Sequence, residues 1–476
     1  MSSYWLPTSI DGFLGEIKEA SLLHFILEGF LVAGLIWFIF RKSYKSHNVH
    51  SLSKEEEEKI ISEWIPEPLV ASTPLDHPAL KPLVVTGKAG HYIDVNGQRC
   101  LNLATHNYLS FVDKPQVEER AIESIRKYGV GSCGPRGFYG TVDVHLELEE
   151  KLAKFMGMEE ACVYAYGFST VASAIPAYAK RSDIIFVDEQ VNFAIQKGLD
   201  ASRSRICYFK HNDVKDLERL MLEFESEAIK NPRKAKVTRR FLVIEGIYMN
   251  TGNICPLPAL LELAHRFKCR TILDENVSFG TLGETGRGVT EFYNVNREDV
   301  DLIVGSMEWA LGSIGGFCVG SSFIVEHQRL SGLGYCFSAS LPPLLTAAAM
   351  ASLEEIEKNP GLLTALQEKC KLVHEALTNL SEFGFSLSGH VKSPVKHLYL
   401  INPPEDMEKH RCLLHDISQY CIKNGVAIVP ASYLDHMEAH PHVPSLRITV
   451  NVDLTPGEVE ATSKLLQKAS SEFSLS

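Results

Sequence analysis

Six short strings concentrate the residue types that can do chemistry. Tyr128–Gly140 (YGVGSCGPRGFYG) places five glycines in thirteen residues, which allows close backbone approach to a ligand or a neighbouring chain. Phe241–Gly252 (FLVIEGIYMNTG) reads as a buried strand running into a polar turn, and Thr271–Gly280 (TILDENVSFG) as a strand that ends on a carboxylate, Asp274. Gly283–Val289 (GETGRGV), Val304–Gly316 (VGSMEWALGSIGG) and Cys336–Pro343 (CFSASLPP) follow in that order. Cys133 has nothing beside it in sequence to lower its pKa, so it is a packing residue and not a nucleophile. His436, His440 and His442 cluster in DHMEAHPH, but Pro441 marks a loop there, and no metal site is assigned.

A layered α/β body must position these strings. From Leu101 onward, strand-like apolar runs at Ala161–Tyr166, Ile184–Asp188, Phe241–Glu245, Arg270–Asp274 and Leu302–Gly305 alternate with helical patterns. That alternation predicts a parallel or mixed sheet covered by helices. A long helical pattern, Leu344–Glu357, leads into a second α+β segment. Lys54–Lys59 (KEEEEK) opens a short charged helix, and the Pro-rich passage Trp64–Pro82 is an extended arm. The basic run Asn231–Arg240 (NPRKAKVTRR) is expected to be a solvated loop before a strand. The implied organisation is an N-terminal segment over 1–48, an arm over 49–100, a large domain over 101–345 and a small α+β domain over 346–476.

Composition narrows the function classes. Of 476 residues, 45% are hydrophobic and 22% charged, the balance of a globular chain with a sizeable core. The net charge of −12 argues against a nucleic-acid partner held through phosphates. Eleven scattered cysteines without a Cys-x-x-Cys pair are expected to be reduced thiols of a cytosolic compartment. One stretch departs from the soluble pattern. Leu22–Phe40 (LLHFILEGFLVAGLIWFIF) spans 19 residues, or roughly 28 Å as a helix, close to a hydrocarbon core of about 30 Å. Asp11, Glu16 and Glu19 precede it, while Arg41, Lys42 and Lys45 follow. This order is the reverse of a signal peptide's. It predicts a single-pass anchor with the body in the cytosol.

In order and spacing, the strings resemble the α-oxoamine synthase family, pyridoxal-phosphate enzymes of the fold-type I aminotransferase class. Its members condense an amino acid with an acyl-CoA and release carbon dioxide. The resemblance runs from about Leu101 to the C-terminus, and the anchor and WIPEPLV arm are similar to those of its long-chain-base branch. It implies a mostly parallel aminotransferase-like large domain and a smaller C-terminal domain.

The same resemblance implies a site that has lost its catalytic group. The family's Thr-x-x-Lys-Ser-x-Gly motif is matched by Ser306–Gly312, with Trp309 at the lysine position, and no lysine occurs between Lys268 and Lys358. An indole cannot form an imine. The stacking histidine is matched by Asn192, the histidine of Asp-Glu-Ala-His by Val277, and a phosphate-holding hydroxyl by Glu308, while Asp274 is kept. A carboxylate about 4 Å from a phosphate charge repels it by roughly 4 kcal/mol at an effective dielectric of 20. By the same resemblance, Ser338 and Ser340 reach across a dimer, the loop carrying Cys133 and Arg136 shapes that junction, and Arg447 is the candidate carboxylate-binding residue.

The expectation is therefore a required, non-catalytic subunit for condensation of L-serine with palmitoyl-CoA to 3-oxosphinganine, the first step of sphingolipid biosynthesis. Pyridoxal 5'-phosphate would sit on a lysine-bearing catalytic long-chain-base subunit. Small activating subunits, Orm-type regulators and lipids of the endoplasmic reticulum membrane would be further partners. The alternatives are a membrane scaffold with no active-site contribution, and an active homodimer, for which the central region lacks a lysine.

Overall fold

The computed structural model describes residues 22–40, 52–70 and 80–475, with only the backbone for residues 22–24. The charges on which the expected membrane orientation rests, at Asp11, Glu16, Glu19, Arg41, Lys42 and Lys45, lie outside the described residues, as do residues 71–79 of the arm. The chain divides into two units, Met1–His77 and Pro78–Ser476.

The first unit carries α1 (Leu22–Phe40) and α2 (Lys54–Glu63). Every described side chain of α1 is exposed, from Phe25 to Phe40. Among the described residues no helix is long and apolar enough to cross a membrane. Helix α2 is charged and exposed, as its sequence predicts, and Ser53 and Glu56 close a reciprocal capping box at its start. Trp64 to Val70 follow without helix or strand.

The second unit is built on a sheet of seven strands. In chain order, the unit opens with β1 (Val85–Thr86), β2 (Tyr92–Val95) and β3 (Gln98–Asn102), then α3 (Pro115–Tyr128) and α4 (Asp143–Met156). Strand β4 (Glu160–Tyr164), α5 (Gly167–Tyr178), β5 (Ile184–Asp188), α6 (Phe193–Ser202), β6 (Arg205–Phe209), α7 (Val214–Lys230), β7 (Arg240–Glu245), α8 (Leu257–Arg266), β8 (Arg270–Asp274), β9 (Leu302–Ser306) and β10 (Gly316–Gly320) follow. The spatial order is β4-β10-β9-β8-β7-β5-β6, and only β10 runs antiparallel to its neighbours. Strands β5, β7 and β9 are almost continuous runs of buried Ile, Leu, Val and Phe, because helices cover both faces of a parallel sheet.

The five apolar runs expected to be strands are β4, β5, β7, β8 and β9, within one or two residues. Strands β6 and β10 escape the sequence pattern. Arg205, Cys207 and Tyr208 make β6 a half-exposed edge, and β10 offers only Phe317, Cys318 and Val319 between its flanking glycines. The basic run is also more structured than expected. Pro232–Ala235 forms one helical turn, Arg239 donates to buried Asp183 at 2.7 Å, and Arg240 begins β7 in an ion pair with Glu225.

Helices α9 (Ser322–Ser331), α10 (Pro343–Lys358) and α11 (Gly361–Thr378) lead to the C-terminal part, where β11 (Phe385–Ser388), β12 (Val395–Leu400), α12 (Met407–Lys423), β13 (Val426–Ala427), β14 (Val429–Pro430), β15 (Leu446–Thr449) and α13 (Pro456–Glu472) close the fold. Their antiparallel sheet has the order β11-β12-β15-β14, and β13 instead pairs in parallel with β3. The start and end of the unit are thereby stitched together.

Candidate functional site

All parallel strands of the large sheet end on one edge, and their C-terminal residues meet there, where α/β sheets bind ligands. Asp274 ends β8 and Glu245 ends β7, side by side in register. Both are buried to 1% exposure. Asn192, the N-cap of α6, binds the pair together. Its backbone N–H donates to Glu245 Oε1 at 2.6 Å and its side-chain amide to Asp274 Oδ2 at 3.1 Å. Asn276 gives Asp274 two more hydrogen bonds, at 2.8 and 3.1 Å. Burial raises the Asp274 carboxyl to about 6, and burial together with the neighbouring Asp274 raises Glu245 well above the ordinary carboxylate value. The carboxylate oxygens of Asp274 are thus met by amide donors of this chain. Val277 sits in the core at 1% exposure and offers no polar atom to the edge.

Strand β9 ends at Ser306, and the next turn carries Met307, Glu308 and Trp309. The Glu308 carboxylate accepts from the Gly167 N–H, the first residue of α5, at 2.9 Å, and Glu308's own N–H donates to Ser306 Oγ at 3.1 Å. Trp309 lies over His106, ring centroids 4.8 Å apart and 31° from parallel. His106 Nδ1 is 2.7 Å from the Tyr108 hydroxyl, and burial lowers its pKa well below the imidazole value, so its ring is neutral. Arg447, on β15, faces the same cluster. One guanidinium nitrogen donates to the Ala104 carbonyl at 3.2 Å, while its buried Nε has no hydrogen-bond partner. Burial lowers its pKa.

The fold implies pyridoxal phosphate, and the residues present do not fit it. A carboxylate occupies the helix N-terminus that would attract the phosphate, an indole stacks beside it, and no lysine lies between Lys268 and Lys358 to form an imine.

The glycine loop and the FSASLPP string come together on a second feature. Ser340's backbone N–H donates to the Gly134 carbonyl at 3.0 Å. Its hydroxyl lies 2.5 Å from the Gly140 carbonyl, 2.6 Å from Ser132 Oγ and 3.2 Å from the Gly134 carbonyl. A Cβ on Gly140 would overlap the Gly134 carbonyl, so this crossing requires glycine. Arg136 is buried and forked onto Glu149 at 2.7 and 2.9 Å, with its Nε on Thr141 at 3.0 Å. His145 accepts from the Val142 N–H at 3.0 Å, which leaves Nε2 to donate to the Leu341 carbonyl at 2.6 Å.

These internal ties hold a ledge. Cys133 is exposed with φ +58°, Tyr139 is fully exposed with φ +65°, and Phe138 and Phe337 stand out beside them. Ser338 is half-buried and donates to the Gly334 carbonyl. The structure therefore separates the residues expected at an interface into two kinds: Arg136 and Ser340 hold the ledge from within, and Cys133 and Ser338 lie on or near its surface. His442 is part of neither site, bonded instead to Glu438 at 2.8 Å and Gln190 at 3.0 Å. Sequence reasoning did not single out Glu245, His106, Tyr108, Glu149, His145 or Tyr139. Glu245 and Tyr139 lie in strings already flagged, but the others depend on contacts between distant elements and carry no local signal.

The fold and site define a member of the aminotransferase class I and II family: its model matches residues 98–463, and the chain belongs to that family. It is 38% identical over 94% of its length to "Serine palmitoyltransferase 1" of Dictyostelium discoideum, covering 93% of that protein. It is 37% identical over 95% of its length to "Long chain base biosynthesis protein 1" of Arabidopsis thaliana, covering 92% of that protein. Among solved structures, a serine palmitoyltransferase from S. paucimobilis with a bound PLP-myriocin aldimine superimposes with a TM-score of 0.73 at 24% identity, covering 89% of this chain and 97% of that one. That likeness establishes the pyridoxal-phosphate-enzyme fold.

Proposed function

We propose that this chain is the non-catalytic subunit of a serine palmitoyltransferase heterodimer, in which a lysine-bearing long-chain-base subunit holds pyridoxal phosphate and condenses L-serine with palmitoyl-CoA to 3-oxosphinganine. The relatives named above support the reaction class. The observation that carries the division of labour is the ledge: Ser340 and Arg136 fix the glycine loop internally, while Phe138, Tyr139 and Phe337 are left exposed. An exposed cluster of large apolar side chains marks a protein contact. A backbone held in the left-handed region at Cys133 and Tyr139 is the kind of strain kept where function needs a fixed shape. In this reading the ledge closes the partner's active site. Ser338 and the Cys133 loop border the partner's phosphate and substrate, and Arg447 keeps a carboxylate-binding form without a cofactor to serve.

Helix α1 attaches this chain to the membrane in this reading, because it is apolar apart from His24 and Glu28 and its described side chains are all exposed. The body would face the cytosol at the endoplasmic reticulum, where small activating subunits and Orm-type regulators would join it.

The test is reconstitution of this chain with a lysine-bearing homologue, changing this chain only. Ser338→Ala and Tyr139→Ala are expected to lower turnover or cofactor occupancy by roughly tenfold, the scale of a lost hydrogen bond to a charged group, without dissolving the dimer. Normal assembly with full activity and occupancy in both variants would leave the scaffold reading in its place.

A further inference from the structure

The misfit between this edge and a phosphate-bearing cofactor has a specific form. The first N–H groups of a helix lack partners within the helix, and the aligned peptide dipoles place a partial positive charge there. In α5 that end is met by a carboxylate of the same chain. Gly167 donates to Glu308 Oε1 at 2.9 Å. A Cβ at position 167 would stand 3.1 Å from the Glu308 carboxyl carbon and 3.0 Å from Ser306 Oγ, so the absent side chain is what lets the two groups approach. The turn that delivers Glu308 is pinned on both sides: Met307 N–H donates to the Gly315 carbonyl at 2.8 Å, Ser313 N–H to the Met307 carbonyl at 3.0 Å, and Trp309 stacks on His106.

We propose that Glu308 is a tethered anion: it takes the place a phosphate monoester would occupy at the N-terminus of α5, so that this chain keeps its site folded without a ligand and excludes one. The idea rests on the reading of this edge as non-catalytic, but it concerns no contact with a partner. Removing the carboxylate should then turn the filled place into a vacant anion site.

The experiment uses the full chain assembled with its partner subunit, and measures hydrogen exchange of the α5 amides with and without millimolar inorganic phosphate, against chloride at equal ionic strength. In the wild type, phosphate should change nothing. In Glu308→Ala, exchange at the start of α5 should rise about tenfold or more, the scale of a lost charge-assisted bond, and phosphate but not chloride should restore protection. Wild-type exchange in this variant, or a rise that phosphate does not reverse, overturns the proposal. Should the alanine variant not fold, Glu308→Gln decides, since it keeps the hydrogen bond and the volume but loses the charge. Raised α5 exchange without a phosphate response supports the tethered anion, and unchanged exchange overturns it. Condensing activity is not a readout, so the outcome stands apart from success or failure of the half-site reading.

Discussion

At Trp309 an indole lies against the neutral His106 ring, and its neighbours answer one another without a ligand. Restoring a single amine there should therefore not restore the chemistry. Trp309→Lys is expected to give no pyridoxyl-lysine on this chain after borohydride reduction and peptide mapping, because Asn192 still holds Asp274, Val277 still offers no polar atom and Glu308 still caps α5. A pyridoxyl-lysine on this chain, in the variant or the wild type, would sink the non-catalytic reading. The buried carboxyls make a second prediction at this scale. Glu275 accepts from the Val289 N–H at 3.0 Å and from the Ser278 hydroxyl, and burial raises its pKa to about 7. An acid whose pKa is raised by folding holds its proton longer in the folded state than in the unfolded one. Its contribution to stability is full at pH below the unfolded value and is lost as pH rises towards 7. A raise of this size corresponds to about 3 kcal/mol at most. Glu275→Gln should accordingly be destabilising at pH 5 relative to its effect at pH 8. Chemical denaturation of both proteins across that range measures the difference, and parallel curves would remove Glu275 as the cause.

At the scale of elements, the ledge depends on two segments far apart in sequence. Ser340 joins the string before α10 to the loop after α3, and His145 of α4 holds the Leu341 carbonyl from the other side. Ser340→Ala deletes the hydroxyl from a pocket of three acceptors and should cost about 1–3 kcal/mol. Gly140→Ala should be worse, because its Cβ meets a backbone carbonyl that cannot move as a side chain would. Limited proteolysis around 129–140 ranks them: cleavage should appear first in Gly140→Ala, then in Ser340→Ala, and last in Cys133→Ser, which touches none of these ties.

For the whole molecule, the distribution of function over two units is what matters. The second unit has a core that draws on all three of its sheets, whereas the described side chains of α1 are exposed and, Glu28 apart, apolar. If α1 is the anchor, protease treatment of sealed microsomes should digest everything after Arg41 and spare the N-terminus. Protection of the body would show that the orientation is reversed.

The sequence by itself determined the class of the fold and pointed to a candidate site, because both signals are local. Buried parallel strands are near-continuous apolar runs, and the stretch between Lys268 and Lys358 holds no lysine. Tertiary structure decided what the substituted residues do. Glu308 in sequence is a charge that repels phosphate; in the fold it is a hydrogen-bonded cap on a helix 141 residues earlier in the chain. Arg136 in sequence belongs to an interface loop, yet its guanidinium turns inward to Glu149. Strand β10 was invisible until its neighbours β4 and β9 supplied the ladders on both sides. In each case the deciding partner is distant along the chain, and local pattern carries no information about a contact that only folding brings within hydrogen-bonding distance.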